Sequence, residues 1–135
     1  MKNALRFDFG ASQPGSSSLL PFLPVRFASG QRSVEGRALL DTGATVNVMP
    51  YGMGLDLGVD WEQQTTSVKL TGNLADLPAK ALLLDVTVGN FAPVRLAFAW
   101  TRAEQLPLIL GQVNFFMEFD VCFFRAKGFF EVSRK

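Results

Sequence analysis

The 135-residue chain contains no histidine, and cysteine occurs once, as Cys122. The first absence excludes Ser-His-Asp and Cys-His nucleophilic mechanisms and any metal site built on imidazole. The second excludes an intramolecular disulfide, and Cys122, within Val121-Cys122-Phe123-Phe124, is expected to pack as a small hydrophobe in a strand or core. Charge of either sign is scarce: 13 Lys and Arg stand against 12 Asp and Glu, scattered along the chain, so no basic stripe suggests nucleic acid as a partner. No phosphate-cradling loop and no dinucleotide glycine fingerprint occurs. No stretch reaches the roughly 18 uninterrupted apolar residues of a membrane span. Met1 to Gly10 alternates charged and apolar residues without the apolar segment of a secretory signal. These features lead to the expectation of a cytoplasmic protein with no membrane partner. If the chain is an enzyme, carboxylates must carry its chemistry.

Apolar residues are abundant, at 48% with thirteen Phe, and the length suits one domain with a substantial core. Alternation predicts a short strand over Leu5 to Phe9, followed by a flexible loop over Gly10 to Ser18. Pro21 and Pro24 remove ladder donors, so Leu20 to Phe27 is expected as an edge strand or irregular entry. A turn at Gly30-Gln31 then leads into a strand over Ser33 to Leu40. Tyr51 to Trp61, rich in glycine, reads as a loop or short helical turn. Thr65 to Leu70 and Leu82 to Val88 read as strands of a hairpin with a mobile apex at Gly72-Asn73. Further strands are expected over Val94 to Trp100 and Leu106 to Leu110, with Thr101 to Gln105 as a polar connection. Gly111 to Phe119 is expected as a short helix with Val113, Phe116 and Met117 facing the core. Val121 to Phe124 and Phe129 to Val132 form a closing hairpin.

The stretch Arg37 to Pro50, R-A-L-L-D-T-G-A-T-V-N-V-M-P, places a carboxylate directly after an apolar run. Asp41 can be a turn former whose side chain accepts backbone N–H bonds, with Gly43 supplying a positive φ. Alternatively it stands at the edge of a dry region, where the ionisation of a carboxylate becomes tunable. Both readings are open from these residues alone.

Leu39-Leu40-Asp41-Thr42-Gly43-Ala44 resembles the active-site signature of the aspartic peptidases, in the form common in retroviral-type members, the retropepsins. Leu108-Ile109-Leu110-Gly111 matches the family's second signature, two apolar residues followed by glycine. The resemblance spans roughly Leu20 to Val132. It implies an all-β fold, a closed retropepsin-like β-barrel with a flap hairpin and one short helix. Residues 1–135 form a single domain on this reading, with 1–19 as an N-terminal extension and loop and 65–90 as the flap hairpin region. It also implies that Asp41 is catalytic, that Thr42, Gly43 and Gly111 support the active site, and that Ala44, Thr71, Gly72 and Asn73 contact substrate.

Aspartic peptidases need two carboxylates sharing a proton, and this chain has one Asp-Thr-Gly. A homodimer with Asp41 from each subunit on a two-fold axis is therefore expected, acting on extended peptide or protein substrates without metal or cofactor. Ala44 donates no hydroxyl hydrogen bond to the carboxylate, so activity is expected to extend from mildly acidic toward neutral pH. Retroviral members commonly carry an acid two residues after the glycine and an Arg after the downstream Gly. Thr45 and Gln112 occupy these positions, which suggests a neutral hydrogen bond in place of an ion pair. Val46, Val48 and Leu110 are expected to line subsites. Phe129 to Val132 is expected to interleave with its counterpart at the dimer interface, with Met1 to Phe9 as the alternative. Two rival readings are a dimer of this fold that binds extended peptides without cutting them, and a monomeric β-barrel interaction domain with a fortuitous Asp-Thr-Gly turn.

Overall fold

The computed structural model describes residues 3–103 and 105–135, with the side chain of Asn73 left out. Most of the chain is strand. In order these are β1 (Leu5–Asp8), β2 (Gly10–Ala11), β3 (Leu19–Leu20), β4 (Phe22–Ser29), β5 (Arg32–Leu40), β6 (Val48–Met49), β7 (Ser67–Val68), β8 (Ala79–Thr87), β9 (Val94–Thr101), β10 (Ile109–Leu110), β11 (Phe119–Phe124) and β12 (Phe129–Arg134). Two short helices interrupt them, α1 (Tyr51–Asp56) and α2 (Phe115–Glu118).

Alternation explains the longest strands. In β4, Leu23, Val25 and Phe27 are buried while Pro24 and Arg26 face solvent. Pro24 is tolerated because β4 has only β5 beside it there, and β8 joins its other edge only from Arg26 to Ala28. Pairing in the order β4-β5-β10-β6-β9-β8, closed by β8 on β4, makes a six-stranded barrel, with β7 added on β8. Closure leaves the short central strands covered on both faces. Val48 and Ile109 belong to one apolar cluster, while Met49 and Leu110 belong to the larger core around Phe27, Phe98 and Trp100.

The stretch read as loop or helical turn is α1, ended at Gly58, whose φ of 77° suits glycine after a helix C-terminus. It gives the fold a second short helix where one was expected. Gly54 lets it lie against Trp100: a Cβ at that position would stand 2.2 Å from the indole. Helix α2 is a single turn, and its core contact is Phe115, fully buried, with Phe116 packed beside it. Val113 and Met117, expected in the core, are 42% and 63% exposed. The helical repeat does not extend back through Asn114, which has a φ of 76°, so spacing across it misassigns the buried face.

The closing hairpin forms, and β1 joins it to give a three-stranded sheet, β1-β12-β11. Residues 1–19, expected as extension and loop, therefore contribute strand β1 and, through β2, a pairing with β3. Because β12 is central, both its edges are occupied by strands of its own chain, unlike the interleaved arrangement expected for it. Cys122 lies on the outer face of β11 and is exposed, not packed as expected. No helix among the described residues is long and apolar enough to cross a membrane.

Candidate active site

The two motifs singled out in the sequence lie side by side. Strands β5 and β10 run parallel, with Leu39 opposite Ile109 and Leu40 opposite Leu110. Leu39 N–H donates to the Leu108 carbonyl at 2.8 Å, and Asp41 N–H to the Leu110 carbonyl at 3.0 Å. Asp41 therefore emerges half-buried at the end of a strand whose last residues are fixed on both sides, since Leu40 N–H also donates to the Pro21 carbonyl.

Past Asp41 the chain makes a tight turn. Gly43 N–H donates to Asp41 Oδ1 at 2.9 Å, and Ala44 N–H to the Asp41 carbonyl at 3.1 Å. The turn does form around the carboxylate, but Gly43 is not among the glycines with positive φ. Glycine matters there for space: a Cβ would lie 3.3 Å from Asp41 Oδ1. Thr42 and Gly43 are exposed, and Ala44 is half-buried.

Gly111 closes the arrangement from the other strand. A Cβ on it would stand 2.6 Å from the Val46 carbonyl oxygen and 2.8 Å from that of Ala44. Only glycine permits that approach, which lets Gln112 N–H donate to Ala44 and Val113 N–H to Thr45. The Gln112 side chain does not pair with that of Thr45. Its Nε2 donates to the Thr42 carbonyl at 2.7 Å, so a neutral link joins the two segments, with backbone as the acceptor.

Asn47 was missed by sequence reasoning. Fully buried, it accepts Gly111 N–H on Oδ1 at 2.8 Å and donates from Nδ2 to the Ala97 carbonyl at 3.1 Å. One amide thus ties the Asp41 loop, the Gly111 segment and β9 together. The available signal was a polar residue set in an otherwise apolar run, Val46-Asn47-Val48-Met49.

A cleft of about 470 Å³ opens over this loop. Asp41, Gly43, Ala44, Val46 and Val48 line it, with Leu106, Pro107 and Ile109 from the segment around β10. Lys69 to Gly72 and Leu74, from the connection between β7 and β8, line it as well. Val46 and Val48 stand where expected. Leu110, also expected there, is fully buried in the main core, because alternation in β10 turns Ile109 to the cleft instead. A hairpin forms here, but it is short and its second strand is not the expected Leu82 to Val88: Ser67 lies opposite Lys80 and Val68 opposite Ala79, while Leu82 to Val86 pair with β9. Its apex is a 3-10 turn, Gly72–Leu74, with Gly72 at a φ of 64°. Leu70, Leu74 and Leu77 fold down onto the apolar cluster of Val48 and Ile109. Thr71 and Gly72 are brought to the cleft; Asn73 contributes backbone to the turn, and its side chain lies outside the described residues. No cluster of metal-ligating side chains occurs among the described residues.

A family model described as aspartyl protease matches residues 23–113, which contain the Asp41 loop, the hairpin and Gly111. The fold is similar to that of a solved structure, a retropepsin-like aspartic protease from Rickettsia conorii, with a TM-score of 0.61 and 16% sequence identity, covering 96% of this chain and 90% of that one. No curated protein sequence matches significantly.

Proposed function

Since the chain belongs to the aspartyl protease family and has a retropepsin-like fold, we propose that it is an aspartic endopeptidase that acts as a homodimer on extended peptides. The observation that carries this reading is the position of Asp41, half-buried in the lining of a cleft that the β7–β8 connection also lines. A carboxylate there meets a peptide held between the loop and the hairpin.

One chain supplies one Asp-Thr-Gly, and the chemistry needs two carboxylates. In the dimer the two Asp41 side chains share a proton, because like charges a few ångströms apart do not both ionise cheaply. The ionised partner accepts a proton from water as the water attacks the scissile carbonyl. The protonated partner polarises that carbonyl and stabilises the gem-diol, after which a proton reaches the leaving nitrogen. No covalent intermediate and no metal is needed. Thr42, exposed at the crest of the turn, is available to bond across the axis, and Gly43 leaves room for substrate beside the carboxylate. Substrate backbone pairs with the hairpin around Thr71 to Asn73 and with Ala44, and the apolar lining favours hydrophobic side chains around the scissile bond.

The test is cleavage of a diverse peptide library between about pH 3.5 and 7.5, a range that brackets a coupled carboxylate pair, by wild type and Asp41→Ala. Cuts by wild type alone, blocked by a peptide with a hydroxyl at the scissile position, are expected. The loss on substitution should be at least on the order of 10²–10⁴-fold. A folded wild-type dimer that binds the peptides and leaves them whole would replace this reading with peptide binding.

A further inference from the structure

We propose that the dimer is joined through the outer edge of β11, two copies of which pair antiparallel across the two-fold axis into a continuous sheet, β1-β12-β11 of one subunit meeting β11-β12-β1 of the other. The inference rests on the dimeric reading above and names the surface that reading requires.

The strand topology narrows the choice. Among the described residues, β4, β5 and β9 are unpaired along part of one edge, but those stretches carry Pro24, then Arg32, Glu35 and Arg37, and Arg95, which discourage pairing. Strands with an edge free along their whole length are β1, β2, β3, β7 and β11. Three of these, β2, β3 and β7, have two residues each, too few to hold a partner. Strand β1 is four residues, and two of them, Arg6 and Asp8, are charged, the usual protection of an edge from unwanted pairing. Strand β11 is six residues, Phe119-Asp120-Val121-Cys122-Phe123-Phe124, with a single charge. It is the long, apolar edge that soluble proteins ordinarily cover.

Burial points the same way. Phe123 lies opposite Phe130 in the β11–β12 register. Phe130 is completely buried, yet Phe123 is 39% exposed. A second β11 beside the first supplies the missing cover. The location also fits the chemistry. Arg125, in the turn after β11, donates to the Leu19 carbonyl, and two residues on Pro21 accepts from Leu40, the residue before Asp41. At the other end β11 follows α2, which begins just after the Gln112 and Val113 contacts to the Asp41 loop. The sheet therefore sits at the Asp41 end of the barrel, where a two-fold axis would bring the two loops together. A symmetric antiparallel pairing makes the contact self-complementary and closed, which limits assembly to two copies.

Cys122, the one cysteine of the chain, is exposed in the middle of this edge and provides a direct probe. In a symmetric pairing centred on β11, two Cys122 side chains fall within reach of a bismaleimide of about 8 Å span, since paired strands are roughly 4.8 Å apart. The experiment treats full-length wild type with that reagent, with Cys122→Ser as control. It also measures mass by sedimentation and peptide cleavage for wild type and Cys122→Lys. The expected result is a covalent dimer from wild type only, and a dissociation constant for Cys122→Lys raised roughly tenfold or more by like charges facing one another. A dimer that cleaves peptides but gives no crosslink would overturn the β11 interface and leave the peptidase reading standing. A crosslinked dimer without cleavage would support the interface and count against the peptidase. A wild-type monomer at high protein concentration would overturn the interface outright. Should Cys122→Lys fail to fold, the wild-type crosslink still decides the matter.

Discussion

Two residues carry more of the site's geometry than their chemistry suggests. Gly111 faces two carbonyl oxygens at distances no Cβ tolerates. Gly111→Ala should push the Ala44 to Val46 backbone away, costing about 1–3 kcal/mol, and should lower cleavage further because the displaced segment continues from Asp41. Denaturant unfolding alongside kcat/KM checks both parts. Asn47 serves two buried backbone groups, and Asn47→Ala orphans both. At about 1–3 kcal/mol for each unsatisfied group, the variant should lose roughly 2–5 kcal/mol of stability, read as a fall in denaturant midpoint. A loss below about 1 kcal/mol would mean that water replaces the amide.

At the level of elements, the hairpin beside the cleft is, on the proposed function, the part that must move for substrate to enter. Its apex holds Gly72 at positive φ with no atom within 4 Å of a would-be Cβ, so backbone conformation alone opposes a side chain there. Gly72→Val should cost about 1–2 kcal/mol locally and raise KM more than it lowers kcat, which steady-state kinetics separates. Element by element, the sequence reveals what alternation and turns encode. The strands leading into Asp41, most of β8 and β9, and the closing hairpin are legible because apolar and polar residues alternate between recognisable turns, although the sequence suggests pairing of β8 with β7 and not with β9. Val113 and Met117 were misread because one turn of helix is too short for its period to establish a face. Asn47 escaped notice because its role depends on Gly111 and Ala97, and no local pattern encodes a bond between residues 64 apart. Leu110 was misassigned for a related reason: both faces of β10 are apolar, so the sequence does not say which meets the cleft.

For the whole molecule, a single Asp-Thr-Gly per chain makes catalysis, on the proposed function, a property of the pair. Activity per subunit should fall when the protein is diluted below its dissociation constant, and initial rates there should rise with the square of protein concentration. A rate strictly proportional to protein at all dilutions, with a monomeric mass, would reject the shared site. Removing β12 is not a clean probe of assembly, because Phe130 and Val132 are completely buried within their own subunit. Substitutions at the exposed β11 edge separate folding from pairing.

The bonds that shape the Asp41 loop also order events in time. Gln112 reaches back 70 residues to Thr42, and Asn47 reaches forward 64 to Gly111. Contacts so distant along the chain close late, since a long loop must lose its freedom before they form. During synthesis the aspartate leaves the ribosome long before the segment that sets its geometry. The growing polypeptide therefore carries Asp41 without a formed site until residues near 113 have emerged.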